Sequence, residues 1–353
     1  MECIAIINQK GGVGKTSTAV NLGAGLAQRG KRMLLIDLDP QGHLTTHFGL
    51  DGDAAGRGVY EVLTQNLPIE EAIHPYSPTI SVIPSNVDLA AAEVELVSVV
   101  GREVILRDLL AAKNWPYDIV MLDCPPSLGI LSLNALCMST RVLIPVQPHF
   151  LALQGAGKLF ETIALVNHRL NPKLSVAGMV MCLYDAGTRL SAEVVDDLAK
   201  FLDSSRGTKV PWSNARIFKN VIRRNVKLAE CPSYGQSIFE YAPRSNGATD
   251  YLALADELLE VIDGRTKIPS DESLKVPPPE TEATPKDRDE PVSASMPVAP
   301  PASAEKPVRA PARIPPSSAK PTKEAVTTPT KETTVVMPTT TDPTPTMTAS
   351  PSL

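Results

Sequence analysis

A glycine-rich loop that directly follows a short apolar run near the amino terminus constrains the fold of this chain most strongly. Residues 3–7 are apolar, and the following segment reads Asn-Gln-Lys-Gly-Gly-Val-Gly-Lys-Thr-Ser. Glycines allow a tight turn that aims backbone N–H groups at phosphate oxygens, and the positive end of a following helix adds to the attraction. The order of strand, loop and helix therefore predicts a phosphate-binding loop in which Lys15 reaches the outer phosphates and Thr16 binds Mg²⁺.

The loop departs from the common pattern G-x-x-x-x-G-K-[ST], because Gln9 occupies the place of its first glycine and Lys10 adds an early lysine. Residues 10–16 resemble the deviant loop of the ParA/MinD family of ATPases. The resemblance implies an ATP-sandwiched homodimer in which Lys10 reaches the nucleotide of the partner subunit. It also implies that ATP is bound by Lys10, Gly11, Gly12, Val13, Gly14, Lys15, Thr16 and Ser17.

Apolar runs and helical patterns alternate along the first part of the chain. We predict strands over residues 3–7, 33–37, 80–84, 119–123, 142–146 and 176–183, with another near 210–218. Predicted helices span residues 15–29, 89–99, 103–112, 131–138, 155–170, 192–202 and 247–262. Continuous aliphatic runs are typical of parallel strands covered on both faces. The alternation predicts an α/β fold, a doubly wound and mostly parallel sheet of the P-loop NTPase type, with ligands at the carboxyl ends of its strands.

The composition changes near residue 266. Residues 267–353 hold 19 of the 33 prolines and contain no Phe, Tyr, Trp, Cys or Gly. Such a segment buries too little apolar surface to offset the entropy lost on ordering. We therefore predict one ATPase domain over residues 1–265 and a disordered Pro/Thr/Ser-rich tail over residues 266–353. The tail is suited either to partner binding through its proline-rich segments or to a spacer role.

Carboxylates follow two of the predicted strands. Asp37 and Asp39 precede the break at Pro40, and Asp123 precedes two prolines. Carboxylates at strand ends can support a metal ion or position an attacking water. Both runs resemble motifs of the ParA family. The resemblance implies that Asp39 positions the hydrolytic water, acting with Lys10 and Lys15 in catalysis, and that Asp123 holds Mg²⁺ together with Thr16.

Positive charge is concentrated in one segment, although the net charge of the chain is −5. Residues 206–227 contain seven basic side chains and no acidic one. A solvated face is one reading of such a cluster. The other is a surface for nucleic acid that contacts phosphates and not bases, so that binding weakens with salt. We favour nucleic acid, and the resemblance to the ParA family implies non-specific double-stranded DNA. The candidate contacts from the cluster and from the resemblance together are Arg189, Arg216, Lys219, Arg223, Arg224 and Lys227.

The run Arg223-Arg224-Asn225 resembles the late segment of the ParA family, where Pro-Arg-Asn is typical. The resemblance implies that Asn225 contacts the adenine edge and that position 223 lines the base. Because Arg223 replaces the proline, it can serve either adenine or DNA. Arg224 matches a position at which chromosomal ParA relatives carry a DNA-binding arginine, and Arg189 lies in the second such segment.

Several other classes of protein fit the sequence less well. No apolar run approaches the ~18 residues of a membrane span, and the five cysteines and five histidines show no metal-ligand spacing. We predict buried, reduced cysteines and a cytoplasmic, nucleoid-associated protein. A nitrogenase-reductase-like carrier needs paired cluster-binding cysteines. A MinD-like membrane-cycling ATPase needs a C-terminal amphipathic helix, which the Pro/Thr-rich C-terminus does not resemble.

The resemblance extends over residues 1–262 and implies a function. It implies an ATPase that dimerises with ATP and Mg²⁺, binds non-specific DNA in that state, and segregates chromosomes or plasmids with a centromere-binding partner of the ParB type. An ATP-gated protein that positions another cellular cargo is the alternative. Sequence alone does not separate the two.

Overall fold

The computed structural model describes residues 1–149, 152–185 and 189–265, with the side chains of residues 54, 55 and 152–154 left out. The predicted tail over residues 266–353 lies outside the described residues, as does the loop segment 186–188 before Arg189. The strands of the described part are β1 (Glu2–Ile6), β2 (Met33–Asp37), β3 (His74–Pro75), β4 (Ile80–Ile83), β5 (Ile119–Asp123), β6 (Arg141–Val146), β7 (Ser175–Tyr184), β8 (Arg216–Ile217) and β9 (Ile222–Arg223).

The helices connect these strands and cover the sheet. They are α1 (Lys15–Gln28), α2 (His43–His47), α3 (Gly52–Ala55), α4 (Val59–Thr64), α5 (Leu89–Glu95), α6 (Ile105–Ala111), α7 (Ile130–Met138), α8 (Ala152–Arg169), α9 (Arg189–Ser204), α10 (Val226–Glu230), α11 (Ile238–Tyr241) and α12 (Asn246–Ile262). Short 3₁₀ turns occupy Ile69–Ala72, Leu96–Ser98 and Cys231–Tyr234.

The strands form one sheet in the order β3-β4-β2-β5-β1-β6-β7-β8, and β9 pairs with β7. Only β3 runs antiparallel to its neighbour in the described part of the chain. The predicted mostly parallel α/β sheet with flanking helices is therefore confirmed. Crossover helices are the usual way to join parallel strands, and they account for the alternation seen in the sequence.

Alternate side chains of each strand enter apolar layers on opposite faces of the sheet. In β1, Ala5 belongs to one buried cluster and Ile4 to the other. All residues of β2 and β5 are buried. Strands covered on both faces need no polar side, which explains their continuous aliphatic sequences.

The predicted strand near residues 210–218 is much shorter in the structure. Only β8 (Arg216–Ile217) pairs there, because Pro211 and Ser213 fall in a turn. The sequence also did not indicate β9 or α10. At the end of β7 the register shifts between Cys182 and Tyr184, and Leu183 between them has a φ of +52°. This bulge directs the strand end toward β9.

The register of the central strands places the predicted functional residues at one edge. Ile6 of β1 pairs with Asp123 of β5, and Asp123 pairs in turn with Asp37 of β2. The glycine-rich loop that leads to Lys15 follows β1 directly. The carboxyl ends of these strands therefore bring the glycine-rich loop and the carboxylates together, as expected for a doubly wound sheet.

Candidate active site

The loop after β1 has the tight backbone that a phosphate-binding loop requires. Gly12 and Gly14 have φ angles of +73° and +90°, in the left-handed region that favours glycine. A Cβ atom on Gly14 would lie 3.5 Å from Cβ of Cys182. Gly14 also precedes α1 and provides no side-chain cap. The N–H groups of the first turn of α1 are thus available to an anion.

Lys15 occupies the first position of α1 and is only 7% exposed. Its Nζ atom donates to the backbone oxygen of Lys10 at 3.2 Å. Burial lowers the pKa of the Lys15 ammonium, whereas the charges of Asp123 and Asp39 act to raise it. A buried ammonium group beside a glycine-rich loop is suited to charge-assisted hydrogen bonds with phosphate oxygens.

Asp123 ends β5 and is completely buried. Burial raises the pKa of its carboxyl well above the ordinary 3.8; the charge of Asp37 adds to the rise, and the nearby Thr16 side chain opposes it. No hydrogen bond of ordinary geometry reaches either carboxylate oxygen from the described residues. A buried carboxylate without partners is unfavourable. A divalent cation would relieve it.

The donor set at this edge fits a nucleotide-bound Mg²⁺. Mg²⁺ is usually held by one or two protein oxygens together with phosphates and waters, and not by a complete protein cage. Asp123 and Thr16 provide such a partial set beside the phosphate-binding loop. In keeping with this, the described residues contain no group of three or more His, Cys, Asp or Glu side chains that could hold a metal ion by themselves.

Asp37 differs from Asp123 because its hydrogen bonds are satisfied inside the fold. Its Oδ1 atom accepts from the N–H of Asp39 at 3.1 Å, and its Oδ2 atom accepts from the N–H and hydroxyl of Thr45 at 2.9 and 2.7 Å. Burial raises the pKa of Asp37 to about 6, although these hydrogen bonds act to lower it. Asp37 therefore anchors the loop between β2 and α2.

A second set of hydrogen bonds fixes the backbone of Asp39. The hydroxyl of Thr45 accepts from the N–H of Ser85 at 2.9 Å, and the Ser85 hydroxyl donates to the backbone oxygen of Asp39 at 2.9 Å. The Asp39 Oδ1 atom accepts from the N–H of Gln41 at 3.0 Å. Its charge acts on both Lys15 and Asp123. The backbone and the carboxylate of Asp39 are therefore both fixed by hydrogen bonds, close enough to Lys15 and Asp123 to interact with their charges.

Lys10 lies on the exposed rim of the loop. Its N–H donates to Oδ1 of Asn8 at 3.0 Å, and Asn8 in turn donates to the backbone oxygen of Pro145 at 2.8 Å. The Lys10 ammonium contacts Nε2 of His149, in the loop after β6. In this arrangement Lys10 is paired with a residue of its own subunit.

Arg223 forms an ion pair that joins β9 to α12. Its Nε and terminal nitrogen atoms donate to Oδ1 of Asp250 at 3.2 and 2.6 Å, and its backbone N–H donates to Oδ2 at 3.1 Å. Asp250 is 8% exposed. The sequence left open whether Arg223 serves adenine or DNA, and the structure gives its guanidinium a structural partner in the protein.

Neighbouring members of the basic segment are placed differently. Asn225 caps α10, with Oδ1 accepting from the N–H of Lys227 at 2.8 Å. The side chain of Lys227 pairs with Glu230 at 2.7 Å. Arg224 has an exposed side chain, and its backbone N–H donates to the oxygen of Tyr184 at 3.4 Å.

The remaining candidates for DNA contact belong to or follow β7 and β8, the last two strands in the order of the sheet. Arg216 belongs to β8 and Lys219 follows it, while Arg189 begins α9 after β7. Arg189 and Lys219 are exposed. Arg216 is partly buried, and burial lowers the pKa of its guanidinium. Because β8 and β9 both pair with β7, the structure gathers the segment 216–227 at that end of the sheet.

Sequence reasoning missed several residues that hold the site together. Thr45 and Ser85 fix the two aspartates of the β2 loop, His149 contacts Lys10, and Asp250 binds Arg223. Thr45 lies 8 residues from Asp37, and the other contacts join residues at least 27 positions apart, so no sequence pattern indicates them. The cysteines, by contrast, are buried and free as predicted.

Comparison with known proteins identifies close relatives. A family model described as an AAA domain matches residues 1–176. The sporulation initiation inhibitor protein Soj of Bacillus subtilis (strain 168) is 43% identical over 256 residues, which cover 72% of this chain and 97% of the relative. The chromosome-partitioning ATPase Soj of Thermus thermophilus is 44% identical over 256 residues, covering 72% of this chain and 94% of the relative.

A solved structure also resembles this chain. Cobyrinic acid a,c-diamide synthase from Mycobacterium smegmatis, crystallised with ADP and magnesium, is 35% identical with a TM-score of 0.65 and covers 77% of this chain and 100% of that chain. No described helix of the present structure is both long enough and apolar enough to span a membrane.

Proposed function

The chain belongs to the ParA/Soj family of chromosome-partitioning ATPases, and on that premise we propose that it binds and hydrolyses ATP with Mg²⁺ as a homodimer. In its ATP state the dimer binds non-specific double-stranded DNA. With a ParB-type partner it drives the segregation of a chromosome or plasmid. It works in the cytoplasm, in association with the nucleoid.

The observation that carries this proposal is the unpartnered carboxylate of Asp123 beside the buried ammonium of Lys15. Both groups are desolvated, and no hydrogen bond of ordinary geometry reaches the Asp123 carboxylate from the described residues. Such a pair is unfavourable unless a ligand completes it. Mg²⁺ provides the cation that the Asp123 carboxylate lacks. ATP provides phosphate oxygens that accept hydrogen bonds from the Lys15 ammonium.

Each residue of the loop has a task in this proposal. Lys15 and the N–H groups of the first turn of α1 bind the outer phosphates. Thr16 and Asp123 hold the metal ion, which neutralises charge that develops on the phosphates during transfer. Lys10 leaves His149 and reaches the nucleotide of the partner subunit, as the family resemblance implies.

Asp39 positions the water that attacks the γ-phosphate. Its backbone is held from one side by Ser85 and its side chain from the other by Gln41. A rigidly held carboxylate at this edge can orient a water molecule at little entropic cost. Asp37 is fully engaged with Thr45 and the Asp39 N–H group, which supports assigning the water to Asp39.

DNA binding rests on the basic segment at the β7 end of the sheet. Arg224 is the principal contact in our proposal because its side chain is exposed and it matches the family's DNA-binding position. Arg189, Lys219 and Lys227 lie on exposed positions nearby. Arg223 acts indirectly, since its ion pair with Asp250 fixes the strand that presents Arg224.

Binding of the full chain to non-specific duplex DNA, measured without nucleotide, with ADP and with ATP, tests the proposal. We expect salt-sensitive binding with ATP and little binding in the other two states. Lys15→Ala is the matched control, because it should lose the nucleotide response and leave the basic segment intact. ATP turnover is followed in the same samples by phosphate release.

Two results would contradict parts of the proposal. ATP turnover without DNA binding in any nucleotide state would favour an ATPase that positions another cargo. Equal DNA binding in all three states, unchanged by Lys15→Ala, would exclude nucleotide control.

A further inference from the structure

The last residue of α2 contacts a turn that is distant in the sequence. His47 is only 1% exposed, and its Nε2 atom lies 3.4 Å from Sγ of Cys231. Cys231 is completely buried and begins the 3₁₀ turn Cys231–Tyr234, directly after α10. A contact between two buried side chains therefore joins α2 to a segment 184 positions away.

Both partners of this contact are neutral near pH 7. Burial lowers the pKa of His47 to about 4, although a hydrogen bond with the backbone of Gln236 and the charge of Glu240 act to raise it. Burial raises the pKa of the Cys231 thiol to about 11. A neutral imidazole and a neutral thiol can each donate and accept. Either tautomer of His47 can thus form a hydrogen bond with Cys231.

Two glycines bring the backbones of the same two segments into contact. Gly49 lies just after α2 and Gly235 just after the 3₁₀ turn, with φ angles of +67° and +63°, in the left-handed region that favours glycine. A Cβ atom on Gly235 would lie 3.0 Å from Cα of Gly49 and 3.2 Å from its nitrogen. Because no side chain separates these backbones, a displacement of one segment shifts the other.

The segment after α10 is also fixed to the helix that follows the phosphate-binding loop. The N–H of Ile238 donates to Oδ1 of Asn21 in α1 at 2.8 Å. The Asn21 amide in turn donates to the backbone oxygen of Ser17 at 2.9 Å. Residues 231–238 therefore contact α1 at Asn21 and α2 at His47, and they hold the two helices relative to each other.

The opposite side of α2 contacts the aspartates of the candidate active site. Thr45 lies two positions before His47, and residues at that spacing point to different sides of a helix. The Thr45 hydroxyl donates to Asp37 and accepts from Ser85, which holds the backbone of Asp39. Because α2 is a single short helix of five residues, the position of His47 sets the position of Thr45.

We propose that His47 and Cys231 are positioning residues for ATP hydrolysis. Their contact holds α2 against the turn Cys231–Tyr234, and through Thr45 it keeps Asp39 in place for the attacking water. This role rests on the proposed function, because it takes Asp39 as the residue that positions the water. Small displacements of such a group lower the rate of the chemical step more than they lower the affinity for substrate.

Steady-state hydrolysis of Mg²⁺–ATP by the full chain tests this role. Cys231→Ala removes the partner of His47, so we expect kcat to fall about tenfold and KM to stay within about twofold. Cys231→Ser keeps a group that donates and accepts, so its kcat should be within about threefold of wild type. Cys137→Ala is the matched control, because Cys137 is also buried and free but lies on α7.

A double-mutant cycle separates positioning from a general loss of stability. If Cys231 acts through Thr45, adding Cys231→Ala to Thr45→Val should lower kcat by no more than about twofold. A merely structural role would lower kcat by the same factor in both backgrounds. His47→Leu tests the contact from its other side, with the same expected loss in kcat, and His47→Gln, which keeps an acceptor, should lose less. Circular dichroism confirms that the variants are folded.

Three results would each overturn the role of the His47–Cys231 contact. They are a wild-type kcat in Cys231→Ala and His47→Leu, an equal loss in Cys137→Ala, and independent losses from Cys231→Ala and Thr45→Val. Absence of ATP turnover in the wild-type protein would contradict the proposed function, and this role with it. Measurement of wild type therefore distinguishes the two failures.

Discussion

Three aspartates meet at the carboxyl edge of the sheet, and they differ in their hydrogen-bonding environments. Asp37 accepts three hydrogen bonds from the protein, Asp39 is held by its neighbours, and Asp123 is buried without a partner among the described residues. At the scale of the residue, environment separates side chains of identical chemistry. The spacing of the three aspartates in the sequence predicts that they lie at strand ends, but it does not show which carboxylate has hydrogen-bond partners in the fold.

Asp39→Ala tests the catalytic assignment. We expect the variant to bind ATP and to lose at least about a hundredfold in turnover, because the carboxylate that orients the water is gone. Phosphate release measures turnover, and a fluorescent ATP analogue measures binding. Asp108→Ala is the control, since that aspartate is exposed on α6. Normal turnover in Asp39→Ala would show that another group positions the water.

Asp123→Asn tests the cost of the unpartnered carboxylate in the nucleotide-free protein. The pKa of the Asp123 carboxyl in the folded state lies above the ordinary value of 3.8. Well below pH 3.8 the carboxyl is protonated in both the folded and the unfolded state, so its charge does not lower the free energy of unfolding. As the pH rises from there through the folded-state pKa, the charged form is favoured in the unfolded state and the fold is increasingly destabilised. We expect the variant to be more stable than wild type by about 1–3 kcal/mol near pH 8, with a smaller difference near pH 5.

Urea denaturation in the presence of EDTA measures this difference. Wild type should then gain more stability from Mg²⁺ and ATP than Asp123→Asn does, because only wild type offers the carboxylate to the metal ion. A variant that is less stable than wild type across the whole pH range would contradict the assignment.

Arg223 and Arg224 are adjacent, and the structure predicts opposite effects for their replacement by alanine. Arg223→Ala leaves Asp250, 8% exposed, without its ion partner, so we expect a loss of about 1–3 kcal/mol in the free energy of unfolding. Arg224→Ala should leave stability within about 0.5 kcal/mol of wild type and weaken ATP-dependent DNA binding. Thermal unfolding measures the stability of the two variants, and a DNA-binding assay with ATP measures their affinity for DNA. Equal stability of the two variants would mean that the ion pair contributes nothing.

At the scale of the element, the short helix α2 anchors the loop that follows β2. Thr45 in α2 donates its hydroxyl proton to Asp37 and accepts from Ser85. Thr45→Val keeps the shape and removes both bonds, so we expect about 1–3 kcal/mol of destabilisation together with slower ATP turnover. Thr46→Val, at the next and exposed position, is the matched control. If a folded Thr45→Val variant hydrolyses ATP at the wild-type rate, the hydrogen bonds of α2 are not needed for turnover.

The long elements followed from the sequence, and the short ones did not. Strands such as β2 and β5 are predictable because burial on both faces leaves a continuous aliphatic signature. By contrast α2, β9 and α10 span two to five residues, too few to show a period. Their positions depend on contacts across the fold, such as Asp250 with Arg223, that no local pattern encodes.

At the scale of the whole molecule, the separation of charge predicts how DNA binding responds to salt. The chain carries −5 overall, yet residues 206–227 carry seven positive charges. We expect the logarithm of the DNA-binding constant to fall linearly with the logarithm of salt concentration, by about 0.9 for each phosphate contacted. If each subunit of the ATP-bound dimer uses one Arg224 contact, Arg224→Gln lowers that slope by about two. If the substitution leaves the slope unchanged, Arg224 does not contact DNA phosphates and the DNA-binding surface lies on another part of the protein.

One strand touches both the nucleotide loop and the basic segment. Cys182 of β7 packs against Gly14 and pairs with Ile222, next to Arg223 and Arg224. The bulge at Leu183 interrupts the pairing only locally, because Cys182 and Tyr184 on either side of it both pair with β9. The two sites of one subunit are therefore joined through paired backbone. We infer that ATP does not change the shape of the DNA-binding surface. By forming the dimer, ATP changes the number of equivalent surfaces that contact one duplex. Each subunit would then bind DNA equally weakly in every nucleotide state, and two linked subunits would bind it through avidity.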